Sequence, residues 1–580
     1  MDAIIGTGLI SKREYDIIVM RNRSISMSDG VTLDVDIFRP DGRGKYPALL
    51  AMAPFNKEAQ SDRIWPAPTR TRRIRGFADA CLEVPSIDFF VRRGYVLVIG
   101  SVRGTGRSSG VYQYMSKREI LDTYEMVEWT AKQNWCDGNV GMLGQGYFAA
   151  HQPLVAALQP PNLKAIAPIG TFWDNYRHFW YPGGMLQKGF LRWLVSKVNF
   201  DIHTERSVLL EELGEEKYKE LIERALNDRD ILGAPEIVDA LKNPCMLGNP
   251  NYLDIIMQPI INSYWLEKGT AIDFDRIKVP AYFGAVSHRP SVFYYWQDFK
   301  MPKRMIFFPP SYTDRPFYQL SWEMLRWFDY WLKGIDTGIM DEPAVKIFVR
   351  GRDEWVLEDD FPVAGTRWMP FSLHENRSLS EIEPWPEAAS ASYDDSPENR
   401  GSLKYYSAPL VENTEIIGPV TVNLYASCRG TDMNFIVGLW DVDPDGNEIC
   451  LTRGNLKASH RELDPDLSKS WLPVHKHTSP QALWPGRIYM CPIVMNPTAN
   501  LFKARHKIML KISSADDVPE DLYHVGFEHL CSQTPNTITI YQDARYPSHI
   551  ILPITRGNIV GTYVSGGDIS LKTKEFMKLQ

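Results

Sequence analysis

Several patterns are missing from this sequence, and each absence closes a class of function. The seven cysteines, Cys81, Cys136, Cys245, Cys428, Cys450, Cys491 and Cys531, are odd in number, widely spaced and free of any CxxC pair. Such scattering in a large chain argues for reduced, buried thiols instead of disulfides or zinc ligands. The 12 histidines contain no HExxH; only His475-Lys476-His477 has a spacing able to clip a metal, and a solvated loop is the simpler reading. No run of about 18 apolar residues exists, so no membrane span is expected. The amino-terminal stretch has no charged region leading into an apolar one, so no signal peptide is expected and the location reads as cytoplasmic. Excess positive charge is absent too. A formal net charge of −7 argues against a nucleic-acid footprint, and the basic cluster Arg70-Thr71-Arg72-Arg73-Ile74-Arg75 reads as a solvated loop. The expectations are no cofactor, no metal, no nucleic-acid or membrane partner, a small-molecule substrate, and a homodimer as an open option.

What is present is a large core. The 580 residues are 44% hydrophobic and 12% aromatic, enough for about three domains. Val31 to Phe38 alternates apolar and polar residues, as a half-buried strand does. Tyr46 to Met52 and Gly94 to Gly100 are nearly continuous apolar runs, the mark of strands covered on both faces of a parallel sheet. Amphipathic stretches such as Ile120 to Gln133 lie between such runs, and this alternation predicts an α/β sheet. From Trp173 to Thr270 the pattern becomes helical and charged, which predicts an inserted cap. Strand signals return at Val279 to Gly284 and Arg304 to Phe308, and an amphipathic helix over Ser321 to Lys333 closes the unit. After Pro343 helices nearly vanish. Val345 to Val349, Val420 to Ala426, Phe435 to Trp440 and Lys507 to Ile512 predict an all-β sandwich, with Ser390 to Arg400 as a surface loop. The domains so read are 1–172 with 271–343, 173–270, and 344–580.

One further absence matters most. Val140-Gly141-Met142-Leu143 runs into Gly144-Gln145-Gly146-Tyr147-Phe148-Ala149, the shape of a nucleophile elbow, the tight strand-to-helix turn that holds up a serine. The apex here is Gly146, which has no side chain. Glycine adopts strained backbone conformations at little cost, so the turn can persist while its apex volume is vacated.

The stretches MSDGVTLDVDIFRP, RRGYVLVIGSVRGTGRSSG, QNWCDGNVGMLGQGY, LKAIAP, SAPLVENTEIIGPVTVNLYAS and NPTANLFKARHKIMLKISS occur in one order along nearly the whole chain. In these the sequence resembles the cocaine-esterase and X-Pro dipeptidyl-peptidase type of α/β-hydrolase. The resemblance implies a hydrolase core with an inserted helical cap and a carboxy-terminal jelly-roll sandwich. It also implies ester or amide cleavage by Ser, Asp and His, with an oxyanion hole from a tyrosine hydroxyl and the N–H after the serine. Carried over by position, the serine slot is Gly146, followed by Tyr147. The oxyanion tyrosine is replaced by Phe55, the acid slot falls near Arg289 beside His288, and the base slot holds Tyr312. Trp180 and Trp193 match aromatic positions of the acyl pocket. Gly104 to Gly110 matches the family's own loop and lacks the Gly-Lys-Ser/Thr ending of a phosphate loop.

Each replacement removes a hydrolytic role, because there is no acyl-enzyme without Oγ and no oxyanion donor in a phenylalanine. Three functions stay open. The first is a non-hydrolytic catalyst, such as an intramolecular Diels–Alderase or other cyclase of specialised metabolism. Tyr147, Tyr312, His288 or Arg289 would polarise a carbonyl in a cavity walled by Phe55, Gly146, Trp173, Trp180, Tyr181 and Trp193. The second is a hydrolase with a rebuilt triad drawn from Ser287, Ser311 or Cys136 with His288 or His151. The third is a noncatalytic small-molecule binding protein.

Overall fold

The computed structural model describes residues 9–55, 57, 83–188, 207–243, 251–309, 316–516 and 529–557. Ten strands form the first sheet: β1 (Ile17–Ser26), β2 (Thr32–Pro40), β3 (Tyr46–Ala53), β4 (Val96–Ser101), β5 (Cys136–Gln145), β6 (Leu163–Ile169), β7 (Ala281–Ala285), β8 (Lys303–Phe307), β9 (Val345–Val349) and β10 (Glu354–Glu358). Their spatial order is β1-β2-β4-β3-β5-β6-β7-β8-β9-β10. From β4 to β9 every neighbouring pair is parallel, and antiparallel strands flank both edges. The apolar run over Tyr46 to Met52 becomes β3, buried at all eight positions, because helices cover both of its faces.

Short helices follow the parallel strands. In α1 (Ile87–Val91), Ser86 caps the amino terminus through its side chain. In α2 (Lys117–Ala131), the Ser116 hydroxyl accepts from the Glu119 N–H. Glu119 stands where a capping-box acid would turn back to the cap, yet its carboxyl is buried and pairs elsewhere. The helix Pro316–Lys333 fulfils the expected amphipathic segment, with Trp327 and Phe328 fully buried. Among its described residues the segment between β6 and β7 is mainly helical, with helices Val208–Leu213, Glu215–Leu226, Pro235–Lys242 and Asn251–Ile256.

Two parts of the sequence reading need correction. Val345–Val349, expected in the sandwich, pairs in parallel with β8 and extends the first sheet through β10. A five-residue strand with four apolar side chains carries no mark of which sheet takes it. Ser390 to Arg400 is not a loop; Ser390–Ser396 pairs in antiparallel register with Asn536–Asp543. The rest of the carboxy-terminal part is all β, with long strands Thr414–Cys428, Asn434–Val442 and Tyr489–Phe502, and it has its own apolar core.

The sandwich docks on the cap. The Asn455 side chain donates to the Pro182 carbonyl, the Ile261 N–H to the His477 carbonyl at 3.0 Å, and Lys457 pairs with Asp230 at 2.8 Å. His475 and His477, expected on a solvated loop, are buried in this junction, with the His477 ring against Tyr176. Among the described residues no cluster of three or more metal-ligating side chains occurs, and no helix is long and apolar enough to cross a membrane. Cys136, Cys428, Cys450, Cys491 and Cys531 are free thiols; Cys81, Cys245 and the Arg70 to Arg75 cluster lie outside the described residues.

Candidate active site

The elbow is built. β5 ends at Gln145 and α3 (Tyr147–Ala150) begins two residues later, with Gly146 at φ 62°, ψ −119°. The Gly146 N–H donates to Ile169 on β6, and its carbonyl receives the N–H groups of Ala149 and Ala150. Gly144 is required by packing, since a Cβ there would lie 2.3 Å from the Cβ of Phe148. The turn is held from both sides without any apex side chain.

Two charged groups straddle the vacated position. A Cβ on Gly146 would lie 3.2 Å from Glu83 Oε1 and 3.3 Å from Arg289 Nη1. Glu83 is placed by its own carbonyl, which receives the Gln145 N–H at 2.8 Å. Arg289 is placed by a tight turn after β7, where its N–H donates to Val286. Its Nη1 donates to the Gly170 carbonyl at 2.9 Å, and its guanidinium lies 5.1 Å over the Phe172 ring. Both residues retain partial exposure while sitting deep among other groups. Desolvation pushes the Glu83 carboxyl up to about 7 against the pull of Arg289, and lowers the Arg289 guanidinium against the pull of Glu83. No ion pair closes between them among the described residues. An acid–base pair thus faces the space where the family's serine would project.

The other expected site residues divide. Phe55 lies edge-on to Tyr147 and Phe148, at 5.9 and 6.2 Å, close to the elbow. Trp180 is fully buried, edge-on to Tyr114 at 5.5 Å, and Phe179 beside it stacks at 3.9 Å on the Phe172 ring that carries Arg289. Tyr147 turns away. Its hydroxyl donates to Glu119 at 2.8 Å and accepts from the Met115 N–H at 3.2 Å, because the aromatic side chain of the first helical residue fits between α2 and the elbow helix. Trp173 sits in a different aromatic cluster with Phe283, Tyr295 and Phe299. The Tyr181 hydroxyl donates to the Ile256 carbonyl at 2.9 Å, which ties the cap together. His288 is next to Arg289 but lines a separate cavity of about 60 Å³ with Arg177, His178, Tyr294, His475 and His477. Tyr312, Trp193 and Ser311 lie outside the described residues.

Of the residues weighed for a rebuilt triad, His151 and Cys136 are placed away from such a role. His151 is fully buried and its Nδ1 bonds the Tyr147 carbonyl at 2.9 Å, and burial pushes it down to about 4. Cys136 is buried at the start of β5, where desolvation raises its thiol. A serine–imidazole pair does exist elsewhere: Ser291 Oγ and His178 Nδ1 share a hydrogen bond of 2.8 Å. His178 belongs to a π-helical turn, Tyr176–Trp180, and desolvation pushes its imidazole down to about 4. Ser291 is 0% exposed and does not line the adjoining cavity.

Sequence reasoning missed Glu83, Ser291 and His178. Glu83 is one acid in Leu82-Glu83-Val84-Pro85, with no motif to mark it, and only the fold brings it to the elbow. His178 and Ser291 are 113 residues apart in the chain.

A mainly parallel sheet with a strand-to-helix elbow after β5, a helical cap after β6 and a β-sandwich behind it defines an α/β-hydrolase. The comparisons with known proteins carry this further. A family model for X-Pro dipeptidyl-peptidase (S15 family) matches residues 29–308, and one for the X-Pro dipeptidyl-peptidase C-terminal non-catalytic domain matches 337–551. The chain is 27% identical to cocaine esterase of Rhodococcus sp. (strain MB1 Bresler), over 93% of this chain and 99% of that one. A CocE/NonD family hydrolase from Staphylococcus aureus superposes with a TM-score of 0.75 at 25% identity, over 93% and 94% of the two chains. An aminopeptidase from a Thaumarchaeota archaeon of marine sediment, at 17% identity, shares the fold with a TM-score of 0.73 over 96% and 99%. The chain belongs to the cocaine-esterase and X-Pro dipeptidyl-peptidase-like family of α/β-hydrolases.

Proposed function

We propose that this family member is a catalyst without a serine nucleophile, a cyclase of the intramolecular Diels–Alder kind acting on a flexible small-molecule intermediate of specialised metabolism. One observation carries the reading: the elbow keeps its strained backbone while Glu83 and Arg289 flank its empty apex. With no Oγ at Gly146, an acyl-enzyme cannot form there. What the pair can do is different. The Arg289 guanidinium is a charged donor in a desolvated place, suited to polarise a carbonyl as charge develops on it. The Glu83 carboxyl, near half-protonated at neutral pH, can give or take a proton from the same group. A ring closure needs no more than such polarisation with the two reacting ends held together. The test is the rate at which a linear diene–dienophile precursor cyclises with and without the protein. Conversion at the solution rate, with the precursor bound, would sink the proposal and leave a binding protein.

A second reading, an ester or amide hydrolase, is favoured by the family and by the Ser291–His178 hydrogen bond. It predicts steady turnover of p-nitrophenyl butyrate and a fluorophosphonate adduct on Ser291. The cyclase reading predicts neither.

A further inference from the structure

The small cavity beside His288 takes no part in the foregoing scheme. About 60 Å³ in volume, it lies where three parts of the chain meet. The cap supplies Arg177, His178 and Gln187, the core His288 and Tyr294, and the sandwich His475, His477 and Asn496. Its walls are held close together. The Asn455 side chain donates to the Pro182 carbonyl, and a Cβ on Gly183 would strike the Asn455 carbonyl. At roughly 15 Å³ for each water, the space takes about four waters or one small ion of similar bulk.

The lining is uneven in charge. Among the described residues no Asp or Glu side chain lines it, although acids outnumber bases in the chain by 71 to 64. The Arg177 guanidinium donates through Nη1 to Asp174 at 3.1 Å and through Nε to the His475 carbonyl at 3.0 Å. Its Nη2 makes no bond among the described residues. The Tyr294 hydroxyl and the Gln187 and Asn496 carboxamides have no partner there either. His178 and His475 are buried, and their Nε2 atoms are unpaired among the described residues. Donors withdrawn from water are costly until an acceptor meets them.

The imidazoles can supply a matching proton. Burial pushes His178 and His475 down to about 4, and His477 well below its ordinary value. Each is therefore neutral at neutral pH and gains a proton more readily once a negative charge stands beside it. Arg177 opposes that proton on all three rings, and Asp174 favours it on His178. From the core, Tyr294 and Tyr295 pack on the His178 ring at 4.4 and 6.0 Å, and Lys469 donates to the Tyr294 carbonyl at 3.2 Å. From the sandwich, His460 shares a 3.0 Å hydrogen bond with His477, and Lys457 and Asp228 act on His460 in opposite senses. Tyr176 of the cap covers the His477 ring. An anion at Arg177 Nη2 offsets the one cation that opposes all three.

We propose that this junction is a binding site for a small oxyanion, tetrahedral or carboxylate, held by Arg177 with the Tyr294 hydroxyl and the Asn496 amide and taken up together with a proton. The bond from Nη2 is of the charge-assisted kind. The occupant touches cap, core and sandwich at once, so binding stabilises their assembly. The site is separate from the elbow and does not rest on the cyclase reading.

The test is calorimetric titration of the full chain with sodium sulfate, sodium acetate and neutral acetamide, at about pH 6 and about pH 8, with sodium chloride keeping the ionic strength equal. Neither anion titrates in that range, so a pH effect belongs to the protein. Sulfate or acetate should bind tenfold or more tighter than acetamide, and threefold or more tighter at the lower pH. The tighter anion tells the tetrahedral group from the planar one. Arg177→Met would strip Asp174 of its pair and endanger the fold, so the variants are Tyr294→Phe and Asn496→Leu. Each removes a polar group that the protein itself leaves unpaired. Each should weaken the anion fivefold or more and leave the melting midpoint without anion unchanged. Anions no tighter than acetamide, equal affinity at both pH values, or both variants binding as wild type does would overturn the proposal and leave a gap filled by water.

Discussion

The elbow and the Ser291–His178 pair each hold part of what a serine hydrolase needs. At Gly146 the backbone is in the strained conformation, at the end of β5, with the helix starting behind it, but there is no hydroxyl. At Ser291 there is a hydroxyl 2.8 Å from an imidazole, but the serine is 0% exposed and heads an ordinary helix, Ser291–Tyr295. A hydrogen bond between a serine and a histidine is therefore a common structural device, while nucleophilicity needs access, an acid to orient the base and donors for the oxyanion. The nearest carboxylate to His178, Asp174, is taken by Arg177 and Tyr295. Chemistry and geometry have come apart in this chain, and the comparison says where to cut.

The largest effect is expected at Arg289. Arg289→Met keeps the bulk over Phe172 and removes the donor, and loss of one charged donor in a desolvated site typically costs about 10²–10³ in rate. Single-turnover cyclisation of a linear precursor should fall by that factor, while binding changes little. Equal rates for variant and wild type would remove Arg289 from the chemistry and return weight to Ser291.

Gly146→Ser sharpens the contrast directly. It supplies the missing hydroxyl, but at φ 62° a side chain is strained by about 1–3 kcal/mol, and its Cβ would press on Glu83 and Arg289 at 3.2 and 3.3 Å. Chemical denaturation should show a loss of that order. Fluorophosphonate should not label the new serine, since no imidazole stands beside the apex among the described residues. Labelling at 146 would mean that a base was waiting there.

How much of this was legible in the sequence follows from what each signal depends on. β3, β4 and the helix Pro316–Lys333 were readable because burial on two faces or one writes a local pattern. The elbow was readable because its glycines answer local steric demands. β9 was misplaced because the choice between two sheets is made by partners far away. Arg289 entered through the resemblance, which puts the acid slot near it, although composition alone would send an arginine to the surface. Glu83 and the His178–Ser291 pair left no trace, since a single acid or base in an apolar segment looks the same whether it ends in solvent or beneath a cap. Tyr147 shows the converse. Its place after the apex was right, but the direction of its side chain is set by Glu119 on another helix.

A smaller effect separates the elbow from the pair by pH. The Glu83 carboxyl, raised by burial from 4.5 to about 7, binds its proton more tightly folded than unfolded. Its contribution to stability is complete below about 4.5 and is lost as pH climbs through about 7. Glu119 and Asp254, raised to about 8 and about 7, act with the same sign. Glu83→Gln should therefore flatten, without abolishing, the fall of the melting temperature between pH 4.5 and 7. An unchanged slope would mean that Glu83 meets water freely and is not held against the elbow.

The smallest effect on turnover belongs to Ser291. Ser291→Ala removes the partner of His178 Nδ1 and leaves both ring nitrogens of a buried imidazole unpaired among the described residues, since Nε2 has none there. The loss of a buried hydrogen bond predicts about 1–3 kcal/mol less stability, read by denaturant midpoint. Cyclisation should change less than twofold, because the Ser291 hydroxyl bonds His178 and not the Glu83–Arg289 pair at the apex, and ester hydrolysis should stay at background in both proteins. An esterase rate in wild type that vanishes in Ser291→Ala would reverse the comparison. The serine would then be the working nucleophile, reached by an opening of the cap, and the elbow a relic that only holds the sheet together.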